Sequence, residues 1–282
     1  YSCSVPKVIN ESGRVTPRGQ VTGGASYMMN ISTASSLQIG ETLWNGIENY
    51  QAADTIQYDA LLKDINSSLI AYALDPAFAQ GAQFYFRVGV VNRLELGYLR
   101  ASKTNMFHAN YQFLGFDKDP EVLAKKRWFG AVGLRYSSQS FNLPKKFAQV
   151  QAIFDYRYSR KDWIMPVVFS YSFGPEEQYG SVSFGAIFGR HYMNYSVLPE
   201  NIFNDQGFQL RGVEKKNAYN SVGLFVNVKA GYRFIYIIPS LSVYYQNYGE
   251  YPMLDKSTVT YKGLTLVPGI SLQLNTVRKK KD

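Results

Sequence analysis

The chain is poor in the residues that build most compact sites. Its 282 residues include one cysteine, Cys3, and two histidines, His108 and His191. A disulfide scaffold needs a dense, even set of cysteines, and a His/Cys metal site needs three or four such ligands. Both are excluded, and only carboxylate-built metal sites stay open. Charge is scarce too: 18% of residues are Asp, Glu, Lys or Arg, against about 25% in an average soluble protein. Long apolar runs are missing. A helical membrane span takes ~20 mostly apolar residues, and the best local run, Phe234 to Leu241, is far shorter. What the chain does have is aromatic: 23 Tyr, 18 Phe and 3 Trp, which excludes a disordered chain. The length suits one large domain or two small ones.

Period-2 alternation is the main signal. Phe84, Phe86, Val88 and Val90 alternate with Gln83, Tyr85, Arg87 and Gly89. Val222, Leu224, Val226, Val228 and Ala230 alternate with Ser221, Gly223, Phe225, Asn227 and Lys229. From Leu264 to Leu274 every even position is apolar. These are strands with one apolar and one more polar face. About twelve are expected, at 18–32, 81–91, 93–102, 105–115, 127–140, 147–158, 162–173, 180–189, 190–198, 219–234, 236–247 and 259–275. The pair at 180–198 also reads as one long bent strand, which would leave an odd count.

The less apolar face is built from Gly, Ser, Gln and Asn, as in Gln20, Thr22, Gly24, Ser26 and Asn30, or His108, Asn110 and Gln112. A soluble sheet facing water would show Lys, Glu and Thr. Small neutral groups suit a crowded lumen, and the large Tyr, Phe, Leu and Val opposite suit a lipid-facing wall. In lipid every backbone polar group must pair within the protein, so the sheet has to close. A closed antiparallel transmembrane barrel is therefore expected, with a soluble β-protein as the alternative. Short joints at Val91-Asn92, Ser159 to Asp162, Gly189-Arg190 and Ile235-Tyr236 read as periplasmic turns. The segments 33–80, 174–179, 199–218 and 248–258 read as external loops, with both termini periplasmic. Asp117 to Lys126 and Lys103-Thr104 break that rule. Pro166, Pro239 and Pro268 fall inside strands, where bulges are expected because proline lacks the ladder donor. Tyr156, Tyr158, Trp163, Tyr232, Phe234 and Tyr236 lie near strand ends, as in an aromatic girdle.

Tyr1-Ser2-Cys3-Ser4 looks like the end of a bacterial lipobox, with Cys3 the lipidated first residue; residues 4–17 read as an extended tether to the first strand. Cys3, this polar tether, the hairpin from Arg87 to Gly97 and the strand from His108 to Leu114 together resemble outer-membrane β-barrel lipoproteins of Gram-negative bacteria, most like those of the Bacteroidota. The resemblance spans nearly the whole chain and is architectural, tied to no catalytic motif. It implies outer-membrane location, an N-terminal lipid on Cys3, and contact with outer-membrane lipids and other outer-membrane proteins. One departure is the end of the chain. Many such barrels close on an aromatic residue, whereas here Leu274 is followed by Asn275-Thr276-Val277 and the basic run Arg278 to Lys281.

Residues 33–80 are long for a connection and imply a role. Tyr58, Leu62, Ile65, Leu69 and Tyr72 follow helical spacing, Asp75-Pro76 would end that helix, and Trp44 opens a second amphipathic stretch. The insertion reads as a plug, a cap, or a docking surface. The expected organisation is thus a tether at 1–17 and a barrel at 18–282.

No cofactor or metal is implied, and an enzyme is not expected. A Ser-His-Asp site needs its His within reach of a Ser and an acid. No Gly-x-Ser-x-Gly segment is present. His108 faces the expected lumen, while His191 follows an expected turn at the membrane edge. The expected lumen charges are Arg87, Glu95, His108, Arg135, Asp155, Arg157, Lys229 and Arg233. Such groups either brace the walls by pairing or form an anion-favouring ring. The net charge of +9 raises nucleic-acid binding, which needs a basic face with interleaved aromatics. The bases instead collect at expected periplasmic turns, Lys125-Lys126-Arg127, Arg160-Lys161 and Arg278 to Lys281, where they can meet anionic lipid. Two functions stay open: a non-enzymatic accessory or scaffold subunit of an outer-membrane assembly, or a passive porin-like channel for small solutes, with anions favoured if the lumen charges form a ring rather than pairs.

Overall fold

The computed structural model describes residues 7–33, 67, 70, 71, 74, 75, 79–101, 104–117, 119–141, 157–197, 212–252 and 257–276. Ten antiparallel strands close into a barrel in which each strand pairs with its sequence neighbours and β1 with β10. They are β1 (Val21–Ser32), β2 (Ala79–Val91), β3 (Leu94–Ala101), β4 (Thr104–Leu114), β5 (Trp128–Phe141), β6 (Arg157–Ser172), β7 (Gly180–Val197), β8 (Val213–Tyr232), β9 (Ile235–Pro252) and β10 (Thr258–Asn275). A short helix, α1 (Pro120–Lys125), lies between β4 and β5. It starts where Asp119 accepts a hydrogen bond from the Glu121 amide and proline fills the first turn, a position that needs no amide donor.

The wall follows the alternation. Phe84 and Leu224 are 64% and 67% exposed, and Phe107, Leu134, Phe188, Ile237 and Ile270 join them on the outside. Gln83, Arg87, His108, Asn110, Arg135, Ser183, Asn227 and Gln273 are buried inside. Apolar outside and polar inside is the inverse of a soluble barrel, and a patch of this extent is untenable in water. Trp128–Tyr171 and Tyr179–Tyr232 ring pairs lie at one end of the wall, and the Tyr136–Trp163 pair toward the other. Trp128 and Tyr136 are eight residues apart on β5, ~26 Å along a strand and ~20 Å along a tilted axis. With the rings added this approaches the ~25 Å apolar band of a membrane barrel.

The strand count corrects the expected twelve. Ser159 to Asp162 is not a turn but the start of β6, because Arg160 and Asp162 both point inward and pair there at 2.6 Å while Lys161 points out. Residues 180–197 form one strand, the long-strand alternative. The expected strand at 147–158 lies outside the described residues except for Arg157 and Tyr158, which open β6. Removing one turn also moves residues 173–179 from the expected loop side to the end where β1 starts and β10 finishes. Asn92-Arg93, 173–179, Arg233-Phe234 and the strand ends that flank 115–127 form the short-turn end; the opposite ends of the strands form the loop end.

The three strand prolines do not cause the expected bulges. Each deletes two rungs from one ladder and leaves the register unchanged: Val132↔Val167 resumes at Arg135↔Ile164 around Pro166, Asn227↔Ser240 at Ala230↔Ile237 around Pro239, and Met28↔Gly269 at Ile31↔Leu266 around Pro268. Register shifts occur elsewhere, at Gly89/Val91, Gln112/Leu114 and Tyr261/Lys262. The expected partly helical insertion at 33–80 is described only at scattered residues, which do not define a helix. Trp44, Tyr58, Leu62, Ile65, Leu69 and Tyr72 lie outside the described residues.

Candidate functional site

The lumen is the site, and the amino-terminal segment fills it. Residues expected as a tether instead run through the barrel, with Lys7, Val8, Ile9, Asn10, Glu11, Val15 and Thr16 all buried. The path descends from the loop end to the short-turn end. Lys7 meets Asp75 near the top, Gly13 meets Ser170 lower down, and Gly19 donates to the Gly89 carbonyl at the bottom, where β1 begins. Lys7 lies toward the loop end and Asn275 at the other; the termini themselves, expected on one side, lie outside the described residues.

A backbone threaded through a closed sheet has no ladder of its own, and its polar groups need partners. The lumen wall supplies them with polar side chains, four neutral and one a carboxylate. Tyr244 donates to the Lys7 carbonyl at 2.5 Å. Asn227 donates to the carbonyls of Ile9 (3.2 Å) and Glu11 (2.9 Å). Ser170, Gln112 and Glu95 accept from the amides of Gly13, Val15 and Thr16. Close approach requires missing side chains at two positions. A Cβ on Gly13 would sit 2.4 Å from the Phe129 carbonyl oxygen, and one on Gly89 would sit 2.1 Å from that of Pro17. A polar cavity of about 50 Å³ remains between Asn10, Glu11, Arg87, Lys229 and Gln273, room for ordered water rather than a pore.

Three charge clusters lock the strap at three heights. At the loop end Asp75 is 1% exposed and takes Lys7 at 2.6 Å, Asn30 at 2.8 Å, Tyr248 at 2.9 Å, Gln246 at 3.3 Å and Thr265. Burial pushes this carboxyl up, but Lys7 and the donated hydrogen bonds outweigh it and hold it below the ordinary carboxylate range. In the middle Glu11 pairs with Arg135 at 2.8 Å, with His108 at 3.9 Å. At the short-turn end the 173–179 loop folds over the mouth. Glu176 and Glu177 take left-handed backbone (φ 53° and 60°), a costly conformation for non-glycine residues. In return Glu176 pairs with Arg14, and Glu177 reaches Lys229 at 3.1 Å and Ser170 at 3.1 Å.

Of the expected lumen charges, the structure brings Arg87, Glu95, His108, Arg135 and Lys229 into the interior. Asp155 lies outside the described residues. Arg157 is corrected to the outer face, because β6 turns its even residues inward. Arg233 is corrected to the β8–β9 turn, with φ 53° and its guanidinium over Tyr232. His191 is corrected from the membrane edge to the lumen, because residue 190 is mid-strand in β7. Reading the sequence alone missed Lys7, Glu11, Asp75, Arg160, Asp162 and Glu177. The signal available was the wall itself: neutral amides and hydroxyls need an interior partner.

His191 completes a hydrogen-bonded row. Its Nδ1 lies 2.5 Å from Asp162 and its Nε2 2.8 Å from the Ser221 hydroxyl. The order is that of a nucleophile, base and acid. Here Arg160 donates to the same Asp162 oxygen at 2.6 Å and to the Leu74 carbonyl at 3.3 Å. All four side chains are buried in the filled lumen. The row braces the wall and anchors residue 74. No group of three or more metal-ligating side chains is found among them either.

Fold and site together define a closed ten-stranded β-barrel plugged by its own amino-terminal segment. No protein-family model matches the chain, and no curated protein matches it in sequence. Solved structures with partial likeness include Ail, the attachment invasion locus protein of Yersinia pestis, at TM-score 0.32 and 7% identity over 91% of this chain and 99% of that one. Ail in complex with the heparin analogue sucrose octasulfate gives 0.32 and 9% over the same shares. The N-terminal β-barrel domain of Pseudomonas aeruginosa OprF gives 0.26 and 9%, over 93% and 100%.

Proposed function

We propose that this chain is a non-conducting, non-enzymatic barrel of a bacterial outer membrane that serves as an accessory or scaffold subunit of a larger outer-membrane assembly. The observation that carries it is the strap from Lys7 to Thr16, buried along the lumen and paired through Glu11 and Arg135. A lumen occupied in this way leaves the outer wall, the rims and the loops as working surfaces. The apolar belt and its aromatic ends support placement in lipid, with the short-turn end toward the periplasm. Lys7 then lies toward the external side, and Cys3, the expected lipid anchor, lies outside the described residues. The lumen charges pair with one another, which supports bracing over the anion-channel alternative.

Purification from native membranes in mild detergent tests the role. A stable, stoichiometric protein partner is expected. A lone chain that gives discrete channel openings would overturn it.

A further inference from the structure

The outer wall carries a groove of about 420 Å³ across β5 to β8, walled by Leu134, Trp163, Met165, Phe188 and Val222. Its upper edge is polar and basic. Arg190 stands opposite Trp163 in the β6–β7 ladder, is held by Asn220 at 2.9 Å and lies over the Tyr192 ring. Lys161, opposite Tyr192, is its diagonal neighbour on the same face, a separation of ~7–8 Å. Lys216 points outward above them. Among the described outward-facing residues of β5 to β8 the only acid is Glu214. An apolar trough ending in two or three cations at the Tyr136–Trp163 girdle is complementary to one ligand shape: an acyl chain below and an anion at headgroup level.

We propose that this groove is a binding site for a membrane lipid with an anionic, phosphate-bearing headgroup. Its acyl chain lies along Leu134, Met165, Phe188 and Val222, and its phosphate is bound by Arg190 with Lys161. The binding is non-covalent. It rests on the reading of the barrel as membrane-embedded.

Trp163 reports on the site directly. The protein, with Trp44→Phe and Trp128→Phe to leave one indole, is reconstituted into vesicles containing acyl-brominated phosphatidylglycerol or acyl-brominated phosphatidylcholine. Quenching of Trp163 at several-fold lower mole fraction of the anionic lipid is expected. Arg190→Gln should reduce that preference about five-fold, the contribution of one basic residue near a charged headgroup, with the heat-modifiable gel mobility of the barrel kept. Excess inorganic phosphate should not abolish the quenching; if it does, the site takes free phosphate and the lipid proposal fails. Equal quenching by both lipids would overturn it, leaving ordinary boundary lipid only. Absence of quenching by either, with a protein monodisperse in plain buffer, would instead overturn the membrane reading itself.

Discussion

Lys7 and Asp75, 68 residues apart in sequence, form a buried ion pair at 2.6 Å near the loop end of the barrel. The contact joins the amino-terminal strap to the end of the long 33–78 connection, and Asn30, Gln246, Tyr248 and Thr265 tie both to the wall. Asp75→Ala removes the centre of this cluster and leaves the Lys7 ammonium buried without a counter-charge. Loss of one partner from a buried pair costs about 3–5 kcal/mol. A clear drop in the heat-modification temperature in detergent is expected, with new protease sensitivity in residues 7–17. Unchanged midpoint and protection would show that the latch is not what seats the strap.

Glu11 fixes the strap by charge at mid-height, with Arg135 at 2.8 Å and His108 at 3.9 Å, all three buried. Glu11→Ala strands the Arg135 guanidinium in the lumen, and loss of one partner from a buried pair costs about 3–5 kcal/mol. A lower heat-modification temperature in detergent is expected, with Arg135→Met added to Glu11→Ala recovering part of the loss. A midpoint equal to that of the parent chain would contradict this.

Gly13 is predicted to be intolerant of any side chain. Gly13→Val would drive a branched group into the Phe129 carbonyl, an overpacking penalty of about 1–3 kcal/mol. Gly23 has only ordinary contact with the Tyr85 carbonyl, at 3.6 Å, so Gly23→Ala is the matched control. Equal midpoints for the two variants would place the strap elsewhere.

The Ser221–His191–Asp162 row is predicted to be structural. Ser221→Ala should cost about 1 kcal/mol, a single hydrogen bond. Asp162→Ala should cost about 3–5 kcal/mol by stranding Arg160. A fluorophosphonate probe should leave Ser221 unlabelled in the folded chain; labelling would make the row a catalytic one.

The barrel was legible in the chain because alternation is a backbone-level property: Phe84 and Phe86 face out and Gln83 and Arg87 face in, whatever else the lumen holds. The strand count was not, because Arg160-Lys161-Asp162 carries the charge density of a turn. Only the closed fold places Arg160 and Asp162 on one inner face where they neutralise each other. The strap was hidden for a related reason. Lys7 to Thr16 has neither period 2 nor period 3.6, since its backbone is satisfied by side chains of five different strands rather than by a ladder. His191 was misplaced once a turn was drawn at residue 190, which reversed the inward phase of everything beside it.

The most direct measurement is planar-bilayer conductance of the intact chain beside a variant lacking residues 7–17. A silent intact protein is expected, with discrete openings in the variant, whose wall stays closed while its core is empty. Openings of equal size in both would contradict a lumen filled by the amino-terminal segment.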